Sequence, residues 1–250
     1  RSATMVRALL VRGMLAGLVA GLLYAVIEFV AGEPAVDAAI AYEERVAAAA
    51  GEAPGEELVS RAVQATLGLG VASIIFGVAI GGITALVYAA VHGRYLRLPP
   101  RAGLLALTTA GFVVTYAVPF LKYPANPPAS TNDDTIGERT LLYLAMVVAS
   151  VVIAWGALVL RERLRERMGV WNATIAATAA YLVLAGVVMA VLPTVAETPA
   201  DFPATVLYDF RIATLGSQLA LWTALGLLFG ALVERGVRLP GRTIDASALR

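Results

Sequence analysis

Six apolar stretches, each long enough to cross a bilayer, limit what this chain can become. They run about 8–31, 64–91, 102–121, 140–160, 173–193 and 212–233. Roughly 20 consecutive apolar residues span the hydrocarbon core as a helix. Composition agrees: 59% of the residues are hydrophobic and 15% charged, against about 45–50% and 25% in soluble domains. The expected fold class is all-α, a polytopic membrane helix bundle whose main partner is the lipid bilayer.

Arginine and lysine set the direction of each span, because cytoplasmic segments carry the excess of positive charge. Arg1, Arg7, Arg12, Arg94, Arg97, Arg101, Arg161, Arg163, Arg165, Arg167, Arg235, Arg238, Arg242 and Arg250 fall in one set of segments, 14 of the 19 basic residues. The other set holds Arg45, Arg61, Lys122, Arg139 and Arg211 with 13 of the 18 acidic residues. The two sets alternate along the chain. The pattern predicts six helices in the cell membrane, as three outward-opening hairpins with both termini cytoplasmic. Loops 32–63, 122–139 and 194–211 then lie outside. Residues 1–4, ahead of Met5, read as an expression scar or leader, 5–235 as the membrane domain and 236–250 as a cytoplasmic tail. A cleaved signal peptide fits the first span poorly, since its apolar run is long and contains Glu28.

Several chemistries are excluded or disfavoured at once. The chain has no cysteine and one histidine, His92, which removes thiolate chemistry and most histidine metal sites. A net charge of +1 gives no case for nucleic acid, and no phosphate-binding GxxxxGK[ST] is present. Asp133, Asp134 and Glu138 form one short DDxxxE, a weak signal for an enzyme acting on lipid-linked diphosphates. The expected answer is no enzyme and no permanently bound cofactor.

Packing signals lie in the first two spans. Gly13, Gly17 and Gly21 stand four apart, as do Gly77 and Gly81, and small residues at this spacing let helix backbones touch in lipid. A seam between spans one and two is the first reading; a homo-oligomer or partner interface is the other. In the first outer loop, Pro34 followed by "AVDAAIAYEERVAAAA" reads as an external helix broken by "GEAPGEE" at 51–57. Thr135 and Glu138 have capping-box spacing at the start of the fourth span. "VPFLKYPANPPA" (118–129) and "LPTVAETPADFPA" (192–204) resemble each other, as two copies of a parallel repeat would.

Chemistry concentrates at the outer level. Glu28 sits about one turn inside the first span, where a charge costs up to roughly 2.5–3.5 kcal/mol unless it faces the bundle or water. Arg139, Arg211 and Lys122 are candidate partners at that level. Pro119, Pro124, Pro127 and Pro128 make the segment after span three rigid and non-helical. Tyr123, Asn126 and its backbone carbonyls offer oxygen ligands for hard or borderline divalent ions.

These residues carry a family resemblance. "VPFLKYPANPPA" with "GERT" after it, "AYEE" in the first outer loop, and "DFPATVLYDFR" before "SQLALW" resemble the CbtA family of predicted cobalt transporter subunits. The resemblance covers about residues 5–235. It implies a membrane subunit for uptake of cobalt(II) or a similar divalent cation, linked to cobalamin supply, with a small histidine-bearing single-helix partner. It marks Lys122, Tyr123, Asn126, Pro127, Pro128, Arg139 and Arg211 as motif positions. The resulting expectation is an outward vestibule under the proline segment. There Glu28, Tyr123 and Asn126 meet the ion, while Lys122, Arg139 and Arg211 balance charge. The alternatives are a non-transporting scaffold that recruits a partner and, less favoured, the membrane enzyme.

Overall fold

The structure, a computed structural model, describes residues 2–51 and 59–238. In chain order it contains α1 (Ser2–Ile27), a π-helical turn (Glu28–Gly32), α2 (Glu33–Ala50), α3 (Arg61–Val63), a second π-turn (Gln64–Gly68) and α4 (Leu69–Val91). Then follow α5 (Pro100–Phe112), a third π-turn (Val113–Ala117), α6 (Val118–Lys122), a 3₁₀ turn (Asp133–Thr135), α7 (Ile136–Val191) and α8 (Ala204–Arg238). The described residues form no strand. Five helical runs among them are long and apolar enough to cross a membrane: Thr4–Ala50, Arg61–Val91, Pro100–Lys122, Ile136–Val191 and Ala204–Gly236. The chain divides into two compact units, residues 1–110, 126–129 and 201–250 in one, 111–125 and 130–200 in the other.

In the first unit, glycines bring α1 and α4 into backbone contact. A Cβ added to Gly13, Gly17 or Gly21 would strike the carbonyl oxygen of Gly81, Gly77 or Ser73 respectively. The partner number falls by four as the α1 number rises by four, so the helices are antiparallel and in constant register. Arg61 bound to Glu33 continues the same register past both π-turns. The intramolecular reading of the glycine motifs is therefore the one realised. α8 packs on α5 by the same device: a Cβ on Gly226 would meet Thr108 and Leu105, and one on Gly230 would meet the Arg101 backbone. Leu104, Leu221, Leu225 and Phe229 are fully buried in this unit.

The first span and the outer helix are joined more closely than the sequence reading implied. No loop separates them; the π-turn carries the helix straight into α2. α2 has Pro34 in its first turn and ends at Gly51, which is left-handed with φ 77°. The remainder of the expected break, 52–57, lies outside the described residues, as do Arg1 and residues 239–250 of the tail. Two π-turns end two residues before a proline, at Gly32 before Pro34 and at Ala117 before Pro119. A proline in a helix cannot donate to the carbonyl four residues back and its ring crowds that oxygen. Here those positions, Val30 and Thr115, lie within the widened turns, which relieves the clash without ending the helix.

In the second unit, α7 is two helices rather than one rod. Gly169 has φ 79° and ψ 165°, a conformation essentially reserved for glycine. Across it, the Arg161 Nε donates to Thr174 Oγ1 at 2.9 Å, and the Ser150 and Tyr181 hydroxyls lie 2.8 Å apart. A straight helix would place Ser150 and Tyr181 about 46 Å apart, so the chain must reverse at Gly169. Val118, Met146, Tyr181 and Ala185 form the buried cluster between the two halves and α6. Ser150 also donates to the carbonyl of Val114 at 2.6 Å, inside the third π-turn, tying three helical segments at one polar point.

One capping expectation fails. Thr135 does stand at the N-cap of α7, but its side chain makes no cap hydrogen bond. Its hydroxyl is engaged instead by the Asn132 carbonyl at 2.9 Å and Glu197 at 2.7 Å. The stronger charged acceptor has taken the group that the capping box required.

Candidate functional site

Glu28 is the one carboxylate set well inside an apolar span, and the first unit builds a polar pocket for it. The residue is 8% exposed. The Ser217 hydroxyl of α8 donates to its Oε1, and Tyr24, one helical turn earlier on α1, is within hydrogen-bond reach of the same carboxylate. The Tyr24 oxygen is also within hydrogen-bond reach of Ser217 and Gln218. Gly32 closes the turn, because a Cβ there would land on Glu28 Oε2. The π-turn and a glycine thus let the carboxylate fold back against its own backbone.

The cluster is an all-oxygen set with one negative charge, the donor chemistry that hard and borderline cations accept. Among the described residues there is no group of three or more histidine, cysteine, aspartate or glutamate side chains that would hold a metal. A cation here would be met by neutral oxygens around a single carboxylate. An adjacent groove is lined by Ile27, Ala31, Pro34, Ile212 and Gly216, with Asp209 its charged member.

The remaining expected residues are placed as follows. Asn126 and Arg211 come together in the first unit: the Arg211 guanidinium donates to Asn126 Oδ1 at 2.7 Å. Beside them Ala129 takes φ 60° and packs with Phe202 against Ala39 and Tyr42 of α2. Pro127 is fully buried and Pro128 exposed. In the second unit, the Tyr123 hydroxyl donates to the Pro193 carbonyl at 2.7 Å. Lys122 reaches Thr194 at 3.3 Å and lies 5.7 Å from the Tyr123 ring centre. Arg139 pairs with Glu197 at 3.5 Å and donates to the Asn132 carbonyl at 3.0 Å. Burial pushes the Tyr123 phenol above its ordinary value, so it remains a neutral donor. The partners of Glu28 are therefore hydroxyls, while Arg139, Arg211 and Lys122 engage Glu197, Asn126 and Thr194.

Within each unit the two proline segments that resemble each other in sequence are in contact. The helix end at Lys122-Tyr123 meets Pro193-Thr194, and Asn126 and Ala129 meet Arg211 and Phe202. Asp134 and Glu138 are exposed, and the Asp134 backbone N–H binds Asn132 Oδ1. Glu138 faces solvent, so the DDxxxE spacing gives no buried acidic pocket from these two residues.

A family model described as "Probable cobalt transporter subunit (CbtA)" matches residues 6–234. The chain belongs to the CbtA family. No curated protein matches it, and no solved structure does. As a CbtA protein it is a member of a transporter-subunit family with several membrane-capable helices, and the subunit description implies a partner within a transporter complex.

Sequence reasoning singled out Glu28 but not the three residues around it. Tyr24 was legible, since positions four apart share a helix face. Ser217 and Gln218 were not, because they reach Glu28 and Tyr24 from the far end of the chain. "SQLALW" carried a family signal without any hint of what its polar residues touch.

Proposed function

We propose that this CbtA protein is the membrane-embedded subunit through which cobalt(II), or a divalent cation like it, is taken up across the plasma membrane. In this reading the chain crosses six times with both termini cytoplasmic. The alternation of basic and acidic segments supports that topology, and so does the reversal at Gly169, which turns one long helical run into two antiparallel spans.

The observation that carries the transport reading is the buried Glu28 carboxylate, held by Ser217 and Tyr24. A carboxylate is expensive within a membrane and, where it occurs, usually marks an ion or proton path. Glu28 is the cation ligand of this proposal. Tyr123 and Asn126, expected as further ligands, have their polar groups committed to Pro193 and Arg211. Asn126, Pro127, Pro128 and Arg211 are assigned to the outer end of the first unit, and Lys122, Tyr123 and Arg139 to the outer end of the second. The partner is a small histidine-bearing single helix, supplying nitrogen ligands that this chain lacks.

The test is Co²⁺ uptake into liposomes containing this chain alone, with Glu28→Ala beside it. Saturable flux that disappears in the variant supports a self-sufficient path through Glu28. Flux equal in both proteins would remove Glu28 from the path. Flux that appears only on adding the partner helix, and still needs Glu28, would make the chain an incomplete subunit.

A further inference from the structure

Gln218 presents a buried acceptor that the protein itself does not satisfy. The residue is 7% exposed and lies next to Ser217 on α8. Its amide is within hydrogen-bond reach of Tyr24, yet its Oε1 has no hydrogen-bond partner. Burying such an oxygen unpaired is costly, and few are left so in folded proteins.

The surroundings decide what the missing partner must be. Glu28 is an acceptor, and the Tyr24 and Ser217 hydroxyl protons are already directed within the cluster. An anion would face a carboxylate and an amide oxygen together, so it is excluded by charge. A positively charged ligand within reach of both acceptors would satisfy them together. The hydroxyl oxygens of Tyr24 and Ser217 keep free lone pairs, which the same cation uses.

We infer that Gln218 Oε1 is a cation ligand that completes, with Glu28, Tyr24 and Ser217, an oxygen-only cradle for one partly hydrated metal cation. The inference rests on the reading that Glu28 lies on the cation's path, and it adds the specificity-determining residue. Oxygen ligands with a single negative charge hold a divalent ion loosely, as a step in transport requires. The amide supplies a directed neutral oxygen at the position where a second carboxylate would trap the ion.

The experiment measures equilibrium Co²⁺ binding to the purified full chain in lipid nanodiscs, for the wild type, Glu28→Gln, Gln218→Met and Gln218→Glu. Methionine keeps the length and volume of glutamine and removes the amide oxygen. The expected result is that Gln218→Met weakens binding at least about tenfold, the size of loss typical when a group supporting a metal is removed. Gln218→Glu tightens binding and slows release, and every bound spectrum shows the weak absorption of Co²⁺ ringed by oxygen. Wild-type affinity in Gln218→Met, with binding lost in Glu28→Gln, overturns the Gln218 assignment and leaves the Glu28 path standing. Binding unaffected by Glu28→Gln overturns both, and binding absent from the wild type overturns the four-oxygen cradle. Should Gln218→Met not purify as a single species, Gln218→Glu decides the matter: unchanged affinity with the added carboxylate overturns the inference.

Discussion

The Arg211 guanidinium donates to Asn126 Oδ1 at 2.7 Å, so a short irregular turn is tied to the first turns of the last long helix across 85 residues of sequence. The bond is one of the contacts that hold so proline-rich a segment in place. Its prolines restrict φ but provide no donors, and the asparagine side chain supplies the link. Hydrogen bonds to charged groups contribute about 1.5–3 kcal/mol when partly buried. Asn126→Ala is expected to lower thermal stability by that order and to reduce cobalt flux several-fold, whereas Asn126→Asp retains both. Flux and melting temperature that match the wild type in Asn126→Ala would remove this bond from the function.

The glycine seam predicts a sharp positional contrast. Gly17 meets the Gly77 backbone directly, while a Cβ on Gly82 would touch only side chains, Met14 at 3.5 Å and Leu10 at 3.9 Å. Overpacking costs roughly 1–3 kcal/mol where neighbours can move, and a backbone neighbour cannot move far. Gly17→Val is expected to lose monodisperse protein in size-exclusion chromatography, and Gly82→Ala to behave as the wild type. Equal tolerance at both sites would mean that α1 and α4 do not pack through this face.

Ser150 stands between two partners, the Val114 carbonyl and the Tyr181 hydroxyl. Bonds between helices in lipid average about 0.6 kcal/mol and reach about 1.7. Ser150→Ala should fall at the upper end, since it strips a partner from two groups, and Tyr181→Phe nearer the mean. In a double-mutant cycle the two losses should fall short of additive, because they share one bond. Strict additivity would show that the 2.8 Å contact contributes nothing.

Glu197 gathers one end of the second unit by accepting from Thr135 and the Asn132 backbone and pairing with Arg139. The ion pair is partly exposed, so screening limits it to about 0–1 kcal/mol. Glu197→Gln should therefore change the melting temperature little. It should still raise amide hydrogen exchange at 132–136, because the loss falls on one turn. Exchange unchanged there would locate the order of this turn elsewhere.

His92 caps α4, with its ring 4.7 Å from that of Tyr88. Burial pushes its imidazole below the ordinary value, so the folded state favours the neutral ring. A lowered folded-state value contributes stability that is present above the unfolded value of about 6.5 and is lost as pH falls through the folded one. The wild type should lose melting temperature between about pH 7 and pH 5, and His92→Gln should lose less over that interval. Parallel curves would mean that the ring is solvated in the folded protein.

Much of the architecture was legible before any partner was known. Helices follow from apolar length because lipid offers the backbone no other hydrogen-bond partner, and the glycine spacing named the faces of α1 and α4 that meet. The turn at Gly169 was implied by four arginines between two spans. Glu28 stood out because a charge in an apolar run needs a reason. The π-turns were not legible: each adds a residue to a helix while the apolar pattern around it continues, and the sequence shows only the proline that follows two of them.

What the sequence by itself determined was which segments are helical, which residues are costly to bury, and which family the chain resembles. Only the tertiary structure decided the pairings: Ser217 on Glu28 across 189 residues, Arg211 on Asn126, and Glu197 taking the hydroxyl that a capping box would have used. Periodicity and charge act over one helical turn and can be read along the chain. A polar side chain's partner is set by which helix faces pack together, and that is fixed only when the whole bundle closes.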